Sequence, residues 1–434
     1  MRNCKRTAVL ILALVLLVMA VSCGTRTSNT NDGNGNGNSS GSSSQDNDLF
    51  ADSGKPDEQN LTGRLFRSGE FIFTDNGDGT AYVVSYEGTG PDVVFPSEVE
   101  CLNVTGIWTY SLYNSQSVRK VTLPASIEKT FYCALSSTSL TQIEVDAENP
   151  YLKSVEGVLY SKDGKTLICY PGANCAYKGE RKFCLPDSVT SIDAGAFWYD
   201  SYLMVIEVGS GNKAFKDIDG ILFSKDGKTL IWYPAGKPYT YYEIPESVTG
   251  IARYAFVTTE NLEQIVIPAG VEKIAPNAFL GCKGLKWLTV DENNNHYCSD
   301  EQRIIYNKEK TELIAYPVSD SSTTFKFLDS LTKIGNYACF NCRFMYKAPV
   351  PAGVTEIGFD AFTHCKWLRE VELPAGLKTV GENAFAECPD LRDIQFAGTM
   401  AEWESVGKGR NWNSGATPDI TVHCSDGDVV VSKS

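Results

Sequence analysis

The chain has 434 residues, 42% hydrophobic and 21% charged, with 37 Gly and 18 Pro, a composition that excludes wholesale disorder. Lys plus Arg total 39 against 53 Asp plus Glu, a net charge of −14, which excludes a nucleic-acid binder working through a positive surface. Three histidines, His296, His364 and His423, leave little material for a His-based metal site or catalytic triad.

Residues 1–22 read as a leader. Arg2, Lys5 and Arg6 make a positive start, and Ala8 to Ala20 is a run of 13 apolar residues. At about 1.5 Å per residue that run spans roughly 20 Å, short of a bilayer core of about 30 Å, so it is a signal peptide rather than a membrane span. It ends in Ala20-Val21-Ser22-Cys23-Gly24. Small residues before Cys resemble a bacterial lipobox, in which the Cys takes a diacylglyceryl group before cleavage. The resemblance implies lipidation of Cys23, with Ala20 where that pattern prefers Leu. Ordinary secretory cleavage near Ser22 is the other reading. Residues 23–60 follow as a tether. Asn31 to Ser44 is almost wholly Asn, Gly and Ser, has nothing to bury and cannot offset its own ordering entropy. A coil of this length spans about 35 Å and lifts a folded head off a membrane.

Residues 61–100 are predicted to be an N-terminal β cap, with Phe71 to Val84 as a hairpin around Asp75-Asn76-Gly77-Asp78-Gly79-Thr80. Those acids lack the spacing of a calcium-binding EF-hand loop. Residues 101–396 are one repeat written many times. One unit reads Val350-Pro351, Val354, Ile357-Gly358, Ala361-Phe362, Cys365, Leu368, Val371, and the next begins at Leu373-Pro374. Units starting at Leu185, Ile244, Ile267, Phe327, Val350 and Leu373 share a spacing of 23 residues. The alternating apolar run before each Pro predicts a strand with one buried face, and Pro turns the chain. Ala-Phe-x-x-Cys-x-x-Leu suits a short helix or 3-10 turn over the core. No unit can bury its apolar face alone, so the units must stack, in roughly twelve rungs.

Three inserts interrupt the repeat, at Val158–Pro171, Ile221–Pro234 and Ile304–Pro317. Each is two β-branched or aromatic runs around a turn, with Asp-Gly in the first two copies, which is a hairpin signal. Residues 397–434 are predicted to be a C-terminal cap, with a short helix from Thr399 to Val406 and a last strand from Ile420 to Cys424.

The Ile-Pro-x-x-Val-x-x-Ile-Gly-x-x-Ala-Phe-x-x-Cys pattern resembles the BspA-type, or Treponema pallidum-type, leucine-rich repeat, over about residues 70 to 425. The resemblance implies a repeat solenoid, leucine-rich-repeat-like, right-handed and β-rich, with short helical or 3-10 turns and inserted β-hairpins. It also implies a surface or secreted protein of a host-associated microbe, often one implicated in adhesion, with no shared catalytic residues and no cofactor.

Cysteine is the obvious chemical candidate. Of 14 in all, Cys282, Cys342, Cys365 and Cys388 occupy one repeat position and read as buried small hydrophobes. Cys339-Phe340-Asn341-Cys342 matches C-x-x-C, but Cys339 stands where Phe normally stands, which points it into the core. Cys169, Cys175 and Cys184 share one insert, where a disulfide is open outside the cytoplasm. His364 beside Cys365 has no visible orienting partner for a nucleophilic dyad, and no Walker A, dinucleotide or zinc motif occurs. The chain is therefore expected to be no enzyme and to hold no metal.

What remains is surface. Thr122, Glu144, Glu207, Val266, Thr289, Glu372 and Gln395 are expected on the outer face of the main strands, a broad sheet suited to a large partner. Aromatics off the repeat pattern, Trp198, Tyr199, Tyr202, Tyr239, Tyr241, Tyr242, Trp287 and Trp367, are the candidate binding residues. Each could instead pad a neighbouring rung. The expected role is a lipid-anchored bacterial cell-surface protein that binds a host or microbial protein or glycan. A carbohydrate-binding surface protein and an envelope architectural protein without external ligand are the alternatives.

Overall fold

The computed structural model describes residues 63–113, 115–319, 326–416 and 419–432. The leader (1–22), Cys23 and the tether (23–60) lie outside the described residues. What is described is a β-solenoid of about 13 turns with very little helix. Each full rung runs along a main parallel strand, turns at Pro, makes a second two-residue strand and rounds a corner. Main strands such as Gln264–Ile267 and Trp287–Val290 pair in register, Gln264 with Trp287 and Ile267 with Val290. The second strands stack likewise, Lys333–Ile334 on Glu356–Ile357 on Thr379–Val380.

The corners are not the short helices the three-residue spacing suggests. They are chains of turns in which residues four apart sit in the left-handed region: Tyr254 and Thr258, Tyr337 and Asn341, Asp360 and His364, Asn383 and Glu387, all with φ between 53° and 63°. A left-handed residue every fourth position stops helix propagation. It also turns every second N–H toward the next rung. Asp360, Phe362 and His364 donate to the carbonyls of Glu382, Ala384 and Ala386 at 2.8–2.9 Å. The corner thus carries its own inter-rung ladder, which satisfies backbone that a helix would have satisfied internally.

The core follows from the repeat. Ala255, Ala278, Ala361 and Ala384 are fully buried where rungs approach. Phenylalanines stack beside them, Phe256 on Phe279 at 5.6 Å and Phe362 on Phe385 at 5.1 Å. In several rungs the side chain three residues after Phe caps a carbonyl of the rung before. The Cys365 thiol donates to the Cys339 carbonyl at 3.1 Å, Cys388 to Phe362 at 3.1 Å and Cys282 to Phe256 at 3.0 Å. Ser115 and Ser137 do the same work in the N-terminal rungs, donating to Tyr86 and Ser115. Cys339 and Cys342 are buried, and every described cysteine is a free thiol. That includes Cys169, Cys175 and Cys184, so the disulfide left open for that insert is not formed. The Cys175 sulfur instead meets the Tyr170 hydroxyl at 3.0 Å.

Each insert has three strands, not two. In the first, Leu152–Val155 pairs antiparallel with Val158–Ser161, which pairs with Thr166–Cys169. The extra turn is Glu156-Gly157, both at positive φ, and Asp219-Gly220 repeats it in the second insert. That is the two-residue hairpin geometry in which Gly is needed. One buried Asn holds each insert to the rung before it. Asn212 donates to the Pro186 and Val189 carbonyls at 3.2 and 2.9 Å and accepts from the Ala214 and Phe215 N–H groups. Asn149 and Asn294 make the same four bonds in the other inserts.

Insert rungs also have a short corner. Between Ile357 and Phe362 a full rung has four residues; between Leu167 and Tyr170, or Leu230 and Tyr233, an insert rung has two. Tyr170 and Tyr233 still reach the Phe column, donating from N–H to Ala196 and Ala255 at 2.7 Å. The chain simply takes a tighter path, and the full corners on either side lose a neighbour there.

Both ends are closed. Arg64–Ser68, Phe71–Asp75 and Thr80–Tyr86 form an antiparallel N-terminal meander whose last strand pairs parallel with Leu102–Ile107. At the other end Met400–Ser405 is a helix with a Thr399/Glu402 capping box. Ile420–Cys424 closes the main sheet and pairs with a further strand, Gly427–Val431. The sequence reading had no strand there.

Candidate binding surfaces

Strand alternation decides what the main sheet shows to solvent. The second and fourth positions of each four-residue strand are buried, and the first and third project outward. At the C-terminal end the outward rows are Lys347–Glu370–Asp393–Thr421 and Pro349–Glu372–Gln395–His423. They are pinned by ions: Lys347 contacts Glu370 at 2.7 Å and Glu372 at 2.5 Å. His423 lies between Asp393 at 3.1 Å and Asp428 at 3.0 Å, and those carboxylates hold its pKa above the ordinary value. The sequence reading assigned His423 no partner, because Asp393 is 30 residues away and Asp428 is on the unforeseen strand. Nearer the N-terminus Lys120 pairs with Glu144 at 2.7 Å and Lys182 with Glu207 at 3.1 Å.

The middle of the face is different. Its rows are Tyr241–Gln264–Trp287 and Glu243–Val266–Thr289. Among the described residues no Lys or Arg bridges these rows. Tyr239 is 58% exposed, Tyr241 49% and Trp287 39%. The Arg303 guanidinium sits 4.6 Å from the Trp287 ring and the Lys237 ammonium 5.6 Å from the Tyr239 ring. Lys237 is itself tied down, donating to the Asp219 carbonyl at 2.7 Å, so Tyr239 is braced from beneath. Rigid aromatics with one open face are the usual anchors of interfaces.

The other candidate aromatics fall elsewhere. Tyr242 points inward, its ring 5.0 Å from Tyr233 and 6.2 Å from Phe256. Strand alternation puts it opposite to Tyr241, so it is a core residue and leaves the candidate set. Trp198 and Tyr199 are half-buried at a corner, where Trp198 packs on Tyr254 at 4.9 Å and Tyr199 on Tyr113 at 6.2 Å. Tyr202 and Trp367 are exposed and precede the buried Leu203 and Leu368 of their rungs. Phe344 shares the Trp367 column one rung earlier and is also exposed, as is Tyr346, 6.3 Å from Trp367. This second aromatic patch was half legible: Trp367 stood out in the sequence, but Phe344 and Tyr346 become surface only once the rung is folded.

The residues that could carry chemistry do not converge. Burial pushes the Cys282 thiol up to about 12 and also raises Cys342 and Cys388, the opposite of a nucleophile. His364 is pushed down to about 4 by burial and packs edge-on against Phe340 at 5.4 Å, while the Cys365 thiol is spent on a carbonyl. No group of three or more metal-ligating side chains occurs among the described residues.

Comparison with curated proteins finds no match. Among solved structures, a leucine-rich cell surface protein from Faecalibacterium prausnitzii A2-165 is 19% identical, covering 80% of this chain and 98% of its own, with a TM-score of 0.33. The pneumococcal vaccine antigen PcpA is 16% identical, with 86% and 99% covered and a TM-score of 0.33. A leucine-rich repeat protein from Bacteroides ovatus ATCC 8483 is 17% identical, with 80% and 99% covered and a TM-score of 0.28. The BspA type leucine rich repeat region matches six copies, over residues 93–156, 236–319 and 314–406. That is more than half of the sequence, and the chain belongs to the BspA-type leucine-rich repeat family.

Proposed function

We propose that this chain is a non-catalytic cell-surface scaffold that binds a macromolecular partner, protein or glycan, through the middle of its main sheet. The observation that carries the reading is the local change of surface: ion-paired rows at both ends, and between them Tyr239, Tyr241 and Trp287, exposed and braced. The leader and the lipobox-like Cys23 support display on the extracellular face of a bacterial membrane, lipid-anchored, with the tether holding the solenoid clear of it.

The test is binding of the purified chain and its Tyr239→Ser/Tyr241→Ser/Trp287→Ser variant to an array of matrix proteins, mucins and glycans. The expected result is saturable binding that the triple variant weakens more than about 30-fold. Binding confined to glycans turns the reading to carbohydrate recognition. Silence from a folded sample favours an architectural role, and binding that the triple variant leaves unchanged moves the site off this face.

A further inference from the structure

The first two inserts are separated by a single full rung, Leu185–Val208, so its corner has a short-cornered neighbour on each side. The full corners beyond them, at residues 130–136 and 252–257, reach over the gaps to meet it. Tyr132 stacks on Tyr254 at 5.6 Å although 122 residues separate them. Beneath these corners lies a cavity of about 360 Å³, floored by Ile168, Cys169, Ile231 and Trp232 of the short corners. Its walls are aromatic: Phe131, Tyr132, Phe197, Trp198 and Tyr254. The volume is within the small-ligand range of about 300–1,000 Å³, at the end that suits an amino acid or dipeptide.

Two charges line this cavity, and the first breaks the repeat. Asp193 follows Ile192 at the position filled by Ala252, Ala275, Gly335, Gly358 and Gly381 in other rungs. In the C-terminal stack that position is tight: a Cβ at Gly358 would come within 2.4 Å of Asn336 and one at Gly381 within 2.4 Å of the Phe359 nitrogen. Asp193 lies instead on a corner between two short ones, and lines the cavity there. It is solvent-exposed where it lines the cavity, and its carboxylate makes no hydrogen bond or ion pair among the described residues. Desolvation by the corners around it pushes its pKa up to about 6. Arg253 occupies the next column on the rung across the gap, with Nε buried and unpartnered and the guanidinium making no ion pair among the described residues. A carboxylate and a guanidinium that line one cavity without pairing are both open to the opposite charges of a ligand, and the buried Arg253 Nε lacks a partner.

We propose that this cavity binds a small zwitterion of amino-acid to dipeptide size with an apolar or aromatic body, its ammonium on Asp193 and its carboxylate on Arg253. The ammonium gains a charged partner and aromatic faces, the carboxylate gains a planar donor fork, and the apolar body covers the rings between them.

The test is calorimetric titration of the purified chain with L-phenylalanine and the dipeptide Phe-Leu, alongside 2-phenylethylamine (amine only) and 3-phenylpropionate (carboxylate only). Expected is saturable binding of the zwitterions, weakened at least about tenfold by Asp193→Asn and by Arg253→Gln. Each half-probe should feel only the variant it faces. Ala194→Phe fills the cavity from its lining and should abolish binding with the circular dichroism spectrum unchanged, which separates occupancy from folding. No saturable binding of any probe up to about 20 mM overturns the proposal. So does binding that the amine alone reproduces and Arg253→Gln ignores, or binding that survives Ala194→Phe.

Discussion

The stack from Phe327 to Phe396 and the stretch from Asp146 to Val318 are built from the same repeat, yet they differ in what they can hold. In the first, full corners follow one another. Glycine sits where rungs touch, phenylalanines stack, and the slot after them is cysteine throughout. In the second, short corners alternate with full ones, and the residues at the gaps change character. Asp193 replaces the glycine, Asp200 takes the slot that is cysteine in the first region, and Tyr132, Trp198 and Tyr254 spread over the space. The third insert shows the control within the molecule. It is a lone short corner between full ones, and Leu280, Tyr337 and Phe340 close it to a cavity of about 20 Å³. The spacing of inserts, not the insert itself, makes the large cavity.

The sharpest way to break that comparison is to exchange the residues. Gly358→Asp should destabilise by more than about 3 kcal/mol, because the side chain meets backbone within 2.8 Å and carries a charge into a closed stack. Asp193→Gly should be neutral or stabilising at pH 8, since it removes a desolvated carboxylate and creates no new contact. Urea unfolding of both variants reads the difference. If Gly358→Asp is tolerated as well as Asp193→Gly, the corners are not packed as described. Next in size is Asn212→Ala, which strands two carbonyls and two N–H groups in a buried place and should cost about 3 kcal/mol. Because solenoids unfold locally, hydrogen exchange should rise most in Phe215–Trp232 and little in Phe327–Phe396. A uniform rise across the chain would contradict the role of Asn212 as a local clamp.

The regular stack was almost entirely legible, because a 23-residue spacing and one apolar pattern suffice to place strand, turn and core. The corners were legible as position but not as conformation: three-residue spacing fits a helix and a chain of left-handed turns equally, and only the inter-rung ladder from Asp360, Phe362 and His364 separates them. Asn149, Asn212 and Asn294 carried a signal that sequence reading passed over, since each stands four residues after Val145, Val208 or Val290. The surface was the least legible. Tyr241 and Tyr242 are adjacent in sequence and face opposite ways, which only the strand register decides. Asp193 could have been singled out as a charge in the glycine column. Its cavity could not, because that depends on two corners being short at once.

The last contrast between the regions is electrostatic. Asp200 is fully buried in the interrupted stretch, accepting from the Tyr202 and Leu203 N–H groups at 3.0 Å while its other oxygen has no partner. Desolvation pushes its carboxyl up to about 7, and Asp193 to about 6, from an ordinary value of 3.8. A carboxyl whose folded pKa lies above its unfolded one binds its proton more tightly when folded. Its contribution is therefore complete below about pH 4 and is lost as pH rises through 6 and 7. His423 acts with the same sign at the C-terminal cap, its raised pKa giving stability that is complete below 6.5 and lost as pH climbs past the folded value. Between about pH 5 and pH 8 the interrupted stretch should lose on the order of 2 kcal/mol, and Asp200→Asn, which keeps the accepting oxygen but cannot ionise, should remove most of that slope. The slots at Cys342 and Cys388 hold thiols that burial raises and that stay neutral over the same range, so hydrogen exchange there should be nearly flat. A slope of equal size in both regions, or one that Asp200→Asn leaves in place, would mean that the buried carboxylates are not what distinguishes them.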